Sequence, residues 1–252
     1  TWCGLGAAAA AAGSCSYTAS TSGLLVTVPD HRAETSQTLT VSAVRQSDNA
    51  LVCTPAFASV TRSIKFTCSY GNPATGTLPM RVGGQALNAA ANAAAACDAT
   101  GRTLSLNFNA AGTASTTLQY ADAGRLTLAA SYTGSGADAG LVLSGSRSVV
   151  VAPYDFAVGG LPGGALTAGG AFAATVTARN ASGVATPNFG RETPAEGASL
   201  SFVRTSPTGA GAVAGVFSGS LGAFAGGAAS GANLAWTEVG AGHVSAVLAS
   251  GA

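Results

Sequence analysis

The sequence has few charged residues and almost no lysine. Only 8% of its 252 residues are charged, against roughly 25% in an ordinary soluble domain, and the formal net charge is +1. Nucleic-acid binding needs a cluster of basic side chains to neutralise phosphates, so nucleic acid is not expected as a partner. Lys65 is the single lysine, which excludes most lysine chemistry elsewhere in the chain.

Long apolar runs are also missing. A membrane-spanning helix needs about 18 or more strongly apolar residues in a row, and the sequence contains no such run. We therefore predict that the chain does not span a membrane. It begins at Thr1 without a signal peptide and ends at Ala252 inside a predicted strand, so we expect an interior piece of a longer polypeptide.

No set of catalytic residues is recognisable. Nucleophilic catalysis needs a nucleophile, a base and an orienting group, and His31 and His243 both fit surface or loop positions instead. Most of the six Asp and four Glu occur in turn sequences, where bonds to the local backbone explain them. We predict no enzyme activity, no cofactor and no metal. One alternative is a calcium ion held at a domain junction by Asp155 with Asp30 or Asp122.

A two-residue hydrophobic periodicity dominates the sequence. Residues 39–43, 104–108 and 126–128 alternate apolar with small polar side chains, which is typical of half-buried strands. Ala-rich segments at 7–12 and 89–96 are weak helix candidates because neither has an amphipathic face. We predict an all-β fold of two tandem immunoglobulin-like antiparallel β-sandwiches. Further strands are expected near 24–28, 58–69, 77–83, 113–120, 140–151, 171–179, 198–204, 212–217, 232–237 and 243–248.

An internal repeat supports two related units. Residues 117–124 and 233–240 share the pattern Leu-x-aromatic-x-acid-x-Gly, with an offset of 116 residues. The pattern makes Trp236 equivalent to Tyr120, which favours core packing for both aromatics. It also makes Asp122 and Glu238 turn-forming residues, because both units use them in the same way.

The repeat leads to a division of the chain. Residues 40–43 resemble 175–178 with an offset of 135, again close to the length of one sandwich. We predict an N-terminal connector over 1–22, a first sandwich over 23–152 and a second over 153–252, truncated at its C-terminus. Pro153 marks the boundary because it lacks an N–H and ends a strand.

All five cysteines lie in the first 100 residues without a Cys-x-x-Cys pair, which argues against zinc. Cys53 and Cys68 are expected on neighbouring strands, and a disulfide there would close a loop of about 15 residues, contributing about 3 kcal/mol. Cys3–Cys15 is the next choice, leaving Cys97 free or bonded outside the sequence. Cys15–Cys97 is an open alternative. Disulfides predict an extracellular or cell-surface location.

Aromatic side chains offer a second functional hypothesis. Trp2, Trp236, Tyr70 and Tyr120 are candidates for a sugar-stacking platform. The chain would then be a carbohydrate-binding module that recognises surface glycans.

Several segments resemble a known family. Cys53-Thr-Pro-Ala-Phe-Ala-Ser and Phe66-Thr-Cys68-Ser-Tyr-Gly-Asn-Pro73, with residues 118–124 and 172–192, resemble the C-terminal region of MshQ-type proteins of the MSHA (mannose-sensitive haemagglutinin) type IV pilus. The resemblance implies a large secreted or surface protein, often with a lectin-like or laminin-G-like domain upstream. It supplies no catalytic residues.

Taken with the strand pattern, the resemblance leads to a functional hypothesis. We expect a structural and adhesive module, acting as a stalk or tip component in pilus biogenesis and attachment. The expected partners are pilus subunits or other surface proteins, and glycans through the upstream domain.

Overall fold

The computed structural model describes residues 22–46 and 53–249. Its regular structure is almost entirely β, with one short 3-10 turn at Gly136–Asp138, so the predicted all-β fold is confirmed. The strands are β1 (Ser22–Thr27), β2 (His31–Arg32), β3 (Gln37–Gln46), β4 (Cys53–Pro55), β5 (Val60–Asn72), β6 (Met80–Val82), β7 (Gln85–Ala86), β8 (Arg102–Phe108), β9 (Thr113–Tyr120), β10 (Gly124–Thr133), β11 (Val142–Ala152), β12 (Asp155–Gly159), β13 (Phe172–Arg179), β14 (Ala198–Ser206), β15 (Phe217–Ser218), β16 (Ala228–Trp236) and β17 (Ala241–Leu248).

The first eleven strands form one sandwich of two sheets. One sheet has the order β1-β3-β9-β6-β7 with β4 added to β3, and the other has the order β2-β11-β10-β5-β8. Alternation along β5 buries Ile64, Phe66 and Cys68 between the sheets and leaves the residues between them at least partly accessible. This follows from the two-residue period of a strand. Each large apolar side chain buried in this way contributes about 1.5–3 kcal/mol.

The last six strands form a second, smaller sandwich. A four-stranded sheet, β12-β13-β16-β15, faces the two-stranded sheet β14-β17. Val176, Phe189, Phe224 and Leu234 are among the buried residues of its core. The predicted boundary at Pro153 falls between the end of β11 and the start of β12, and the exact domain limits remain a prediction.

The sequence repeat corresponds to a repeat of the strand pairing. β3 pairs with β9 as β13 pairs with β16, and β5 pairs with β10 as β14 pairs with β17. The conserved spacing places Gly124 at the start of β10, against the carbonyl of Asn72 at the end of β5. Gly240, just before β17, lies in the same way against the carbonyl of Ser206 at the end of β14. The two sandwiches therefore share one plan for these four strands.

Two secondary-structure predictions differ from the structure. Residues 89–96 are turns rather than a helix, because the side-chain amide of Asn88 bonds the carbonyls of Asn92 and Ala95 and replaces helical bonding. The strand expected at 212–217 is reduced to Phe217–Ser218, since it follows a glycine-rich segment with positive φ angles. The 7–12 helix candidate and nearly all of the 1–22 connector lie outside the described residues.

Gly124→Ala should destabilise the first sandwich more than Gly84→Ala. Gly124 has φ +128°, and an added Cβ would lie 2.9 Å from the carbonyl oxygen of Asn72. Gly84 also has positive φ, at +76°, but an added Cβ meets nothing within 4 Å. We expect Gly84→Ala to cost about 1 kcal/mol of strain and Gly124→Ala at least twice that, measured by thermal unfolding. Equal losses would contradict the close approach at Gly124.

Candidate functional site

A group of buried polar side chains lies where the two sandwiches meet. We call this region the junction and define it by Tyr120, Asp122, Asn180, Asn188 and Arg191. Tyr120 is the last residue of β9 and Asp122 lies in the β9–β10 turn, whereas the other three come from the long connection between β13 and β14. Asp122 and Tyr120 are 0% exposed, Asn188 is 1% exposed and Asn180 5%. Burial of this many polar groups requires that they bond one another.

Asp122 forms the centre of the junction. Its Oδ1 accepts a hydrogen bond from its neighbour Ala123 N at 2.8 Å and another from Asn188 N in the second sandwich at 3.0 Å. Its Oδ2 is buried and has no hydrogen-bond partner among the described residues. A single carboxylate thus satisfies the turn of one sandwich and the loop of the other.

Asparagine side chains extend the network. Asn188 Nδ2 donates to Tyr120 Oη at 3.3 Å, and its Oδ1 accepts from Arg191 Nη1 at 3.1 Å. Asn180 Nδ2 donates to the carbonyl of Ala121 at 3.0 Å. Both asparagines thus tie the connection after β13 to the β9–β10 turn of the first sandwich.

Further bonds surround the buried network. Asn72 accepts from Thr193 N at 2.9 Å and donates to the Thr193 carbonyl at 3.2 Å, which pairs the end of β5 with the second sandwich. Arg191 Nη2 donates to Thr75 Oγ1, and Ala181 N donates to the carbonyl of Ala33. These contacts are distributed over several loops, so rotation of one sandwich against the other would break many of them.

Apolar packing accompanies the polar network. Ala123 is 1% exposed and packs in the core cluster of the second sandwich, together with Val176, Phe189 and Phe224. The β9–β10 turn of the first sandwich is therefore inserted into the core of the second. Since Phe189 directly follows Asn188, the same loop supplies both the apolar contact and the hydrogen bonds.

Burial changes the acid–base behaviour of the junction. Removal from water raises the pKa of Asp122 to about 6, with Glu192 adding to the increase, while the bonds from Asn188 N and Ala123 N and the charge of Arg191 oppose it. Burial also raises the pKa of Tyr120, with a further increase from the Asp122 charge, and the pKa of Glu192. The carboxylate at the centre of the junction therefore titrates near neutral pH.

The disulfide differs from the one that the spacing predicted. Cys68 is bonded to Cys97, so the Cys53–Cys68 prediction is wrong, as are a free Cys97 and the Cys15–Cys97 alternative. Cys53 lies in β4, which pairs with β3 in one sheet, whereas Cys68 lies in β5 of the facing sheet. Their strands are therefore not neighbours. The Cys3–Cys15 prediction lies outside the described residues.

The loop that carries Cys97 is held by Tyr70. Tyr70 Oη donates to the carbonyl of Leu78 at 2.6 Å and accepts from Cys97 N at 2.9 Å. Asp98 accepts from the N–H groups of Thr100 and Gly101, which confirms the turn interpretation for this acid. A cavity of about 460 Å³ lies beside the disulfide, and its lining includes Tyr70 and Asp98.

The aromatics proposed for sugar stacking are not brought together as a platform. Tyr120 is completely buried, which confirms the core packing predicted for it. Trp236 is half-buried and stacks on Phe202, with ring centroids 4.2 Å apart, and an added Cβ on Gly215 would run into its indole. Tyr70 is bonded through its hydroxyl to Leu78 and Cys97, and Trp2 lies outside the described residues.

The carboxylates considered for calcium have separate partners. Asp155 forms a two-point ion pair with Arg179, and Asp30 accepts from Val150 N at 2.9 Å. Within residues 22–46 and 53–249, no group of three His, Cys, Asp or Glu is placed to hold a metal ion. His31, predicted at a surface or loop position, is half-buried in the short strand β2, and burial lowers its pKa. His243 is exposed in β17.

Sequence reasoning missed Asn180 and Asn188, and it interpreted Asp122 as a turn-forming residue, with a calcium ligand as the alternative. For Asn188, the missed signal was the stretch 186–193 between two predicted strands, in which five of the eight residues have polar side chains. Only the three-dimensional arrangement shows that this run faces another sandwich rather than solvent.

Two facing antiparallel sheets, repeated once along the chain and joined through buried polar groups, define an immunoglobulin-like β-sandwich protein. The chain belongs to the family described as domain of unknown function DUF6701, first Ig-like domain, whose model matches residues 1–146. No curated protein matches the chain. The part of the chain that the structure describes has no helix of the length and apolar character needed to cross a bilayer.

Removal of the disulfide should destabilise the first sandwich. Cys68 and Cys97 are 29 residues apart in sequence, and closing such a loop contributes roughly 3.5 kcal/mol in the chain-entropy model. We expect the double variant Cys68→Ala, Cys97→Ala to lose most of that free energy in urea unfolding. The control Cys53→Ala should retain that free energy of unfolding. An equal loss in the control would contradict the Cys68–Cys97 pairing.

Asp122→Asn should remove a pH dependence of stability. The folded-state pKa of Asp122, about 6, exceeds its ordinary value of 3.8, so the folded protein binds the extra proton between these values. The stabilisation that comes from this bound proton is complete below the ordinary pKa and is lost as the pH rises through 6. As the pH rises from about 4 to about 7, the free energy of unfolding of the variant should increase relative to that of the parent by up to roughly 3 kcal/mol.

Urea unfolding at several pH values measures this difference. Glu238→Gln, at the equivalent place in the second repeat, is the matched control and should follow the parent. Parallel pH curves for Asp122→Asn and the parent would show that this carboxyl does not control the junction.

Proposed function

We propose that this chain is a structural and adhesive module of a bacterial surface protein associated with MSHA-like type IV pili. In this role the two sandwiches act as a stalk or tip component that presents a binding domain, in pilus biogenesis and in attachment. The proposal includes a non-enzymatic role and an extracellular or cell-surface location. Its partners are pilus subunits or other surface proteins.

The junction is the main observation in favour of a stalk. A display module has to keep successive domains in a fixed direction, whereas relative motion is the default for domains that share only a small interface. Here Asp122, Asn180 and Asn188 are buried and bonded across the junction. Ala123 adds apolar contact on the same side. Such a joint transmits force and orientation from one sandwich to the next.

The disulfide and the family support the location. Cys68–Cys97 is a bond that persists in oxidising compartments. The matched family is an Ig-like domain of unknown function. The resemblance of residues 53–59 and 66–73 to MshQ-type proteins supports the association with pili. The low content of charged residues, 8%, is compatible with a structural role that requires no charged ligand site.

Localisation on intact cells tests the proposal. Antibodies against the chain should label the surface filaments, and loss of the gene should reduce attachment. Labelling confined to the cytoplasm would overturn the surface role, and labelling of the envelope away from pili would overturn the pilus association.

Cross-linking on sheared filaments identifies the neighbours. A photoreactive or carboxylate-reactive reagent is required, because Lys65 is the single lysine. We expect cross-links to pilus subunits from the parent chain. A strain with Asn180→Ala and Asn188→Ala should keep the cross-links from the first sandwich to its neighbours. The cross-links between the two sandwiches should then no longer report one fixed set of distances. The control Asn107→Ala, on the exposed face of β8, should change neither set of cross-links.

A further inference from the structure

The two sandwiches differ in how the edge of one sheet is covered. In the first, β10 pairs with β5 on one side and with β11 on the other. In the second, the equivalent strand β17 pairs with β14, and no described strand pairs with its other edge. Within residues 22–46 and 53–249, the second sandwich thus repeats the plan of the first without a counterpart of β11.

Burial at equivalent positions of β10 and β17 reflects this difference. The Gly124–Gly240 correspondence aligns Ala130 with Ala246 and Tyr132 with Leu248. Ala130 is 2% exposed and Tyr132 9%, but Ala246 and Leu248 are only partly buried. The same inward positions therefore remain accessible to solvent where a β11 counterpart would cover them.

The opposite sheet shows the same difference. Val26 in β1 pairs with Val41, and Val158 in β12 pairs with Val176, at matching places in the repeated segment. Leu24 and Val26 of β1 are buried, and β11 packs beside them. Phe156 and Val158 of β12 are only partly buried.

We define the β12–β17 groove by Phe156, Val158, Ala246 and Leu248. These four side chains are apolar, partly exposed, and lie along two facing sheet edges. No described strand pairs with the other edge of the small sheet either. Arg204 of β14 donates to the carbonyl of Val213, and Phe202 of β14 stacks on Trp236 of the facing sheet.

We propose that the β12–β17 groove accepts one extended strand, antiparallel to β17, from a partner segment with apolar residues at alternate positions. Main-chain bonds to β17 would supply affinity, and the alternate side chains would fill the groove, as in strand addition to other sheet edges. This inference goes beyond the proposed function and does not depend on the association with pili.

The register of β11 specifies the chemistry of the partner strand. Val149 lies opposite Leu126, Leu143 opposite Tyr132, and Gly145 opposite Ala130. Carried over to β17, the partner has large apolar residues opposite Gly242 and Leu248. It has glycine or another small residue opposite Ala246, because a Cβ on Gly145 would collide with the backbone of β1.

An appended strand tests the groove directly. A flexible Gly/Ser linker and a copy of residues 142–152 are added after Ala252 of the whole chain, which gives the copy a high effective concentration. The matched control carries Leu143→Ser and Val149→Ser in the appended copy only, so that the protein itself is unchanged and folds as before. Hydrogen–deuterium exchange and thermal unfolding are measured for both and for the unmodified chain.

We expect the appended strand to slow exchange over Ala241–Leu248 and to raise the unfolding temperature of the second sandwich by about 5 °C, with neither effect in the control. Absence of both effects, equal effects in the control, or protection of Ala198–Ser206 instead would overturn the proposal. Self-association of the unmodified chain with protection of β17, measured by analytical ultracentrifugation, would also overturn it, since the occupant would then be a second copy.

Discussion

Burial of alternate side chains between two facing sheets is the interaction on which this structure depends. The chain is rich in Ala, Gly, Ser and Thr, so each strand contributes only a few large apolar side chains. In the first sandwich Phe57, Phe66, Leu118 and Leu128 are all buried, because strands cover the core on every side. Beside β17, where no described strand pairs with the second edge, side chains at equivalent positions are partly exposed. Strand pairing and core burial therefore depend on each other, because an unpaired edge lacks main-chain hydrogen bonds and also leaves adjacent core side chains uncovered.

The junction obeys the same principle with polar groups. A buried amide or carboxylate costs free energy unless it is hydrogen-bonded, so Asp122, Asn180 and Asn188 favour the one arrangement in which they bond each other. The β9–β10 turn also places Ala123 in the neighbouring core. Polar bonds fix the direction and apolar contact supplies part of the affinity. This combination favours one relative arrangement of the two sandwiches.

The repeat connects these observations with the family. Duplication of one sandwich plan explains why β3, β5, β9 and β10 have counterparts in β13, β14, β16 and β17. It also explains the divergence of Asp122 and Glu238. Asp122 belongs to a turn that faces another sandwich, so it became buried, whereas Glu238 lies at the opposite end of the second unit and is only half-buried. Asp122 and Glu238 are equivalent in the repeat, but the residues around them give them different environments.

The sequence by itself determined the strand alternation, the two units and their repeat, because these depend on local periodicity and on turn residues. It did not determine the partner of Cys68 or the environment of Asp122. Cys97 reaches Cys68 through a loop of turns, and Asn188 reaches Asp122 from 66 positions away, so neither contact leaves a local pattern. Contacts between distant segments depend on how the sheets stack and twist, which is decided by the balance of all burial at once. Only the tertiary structure could therefore show the junction and the open edge.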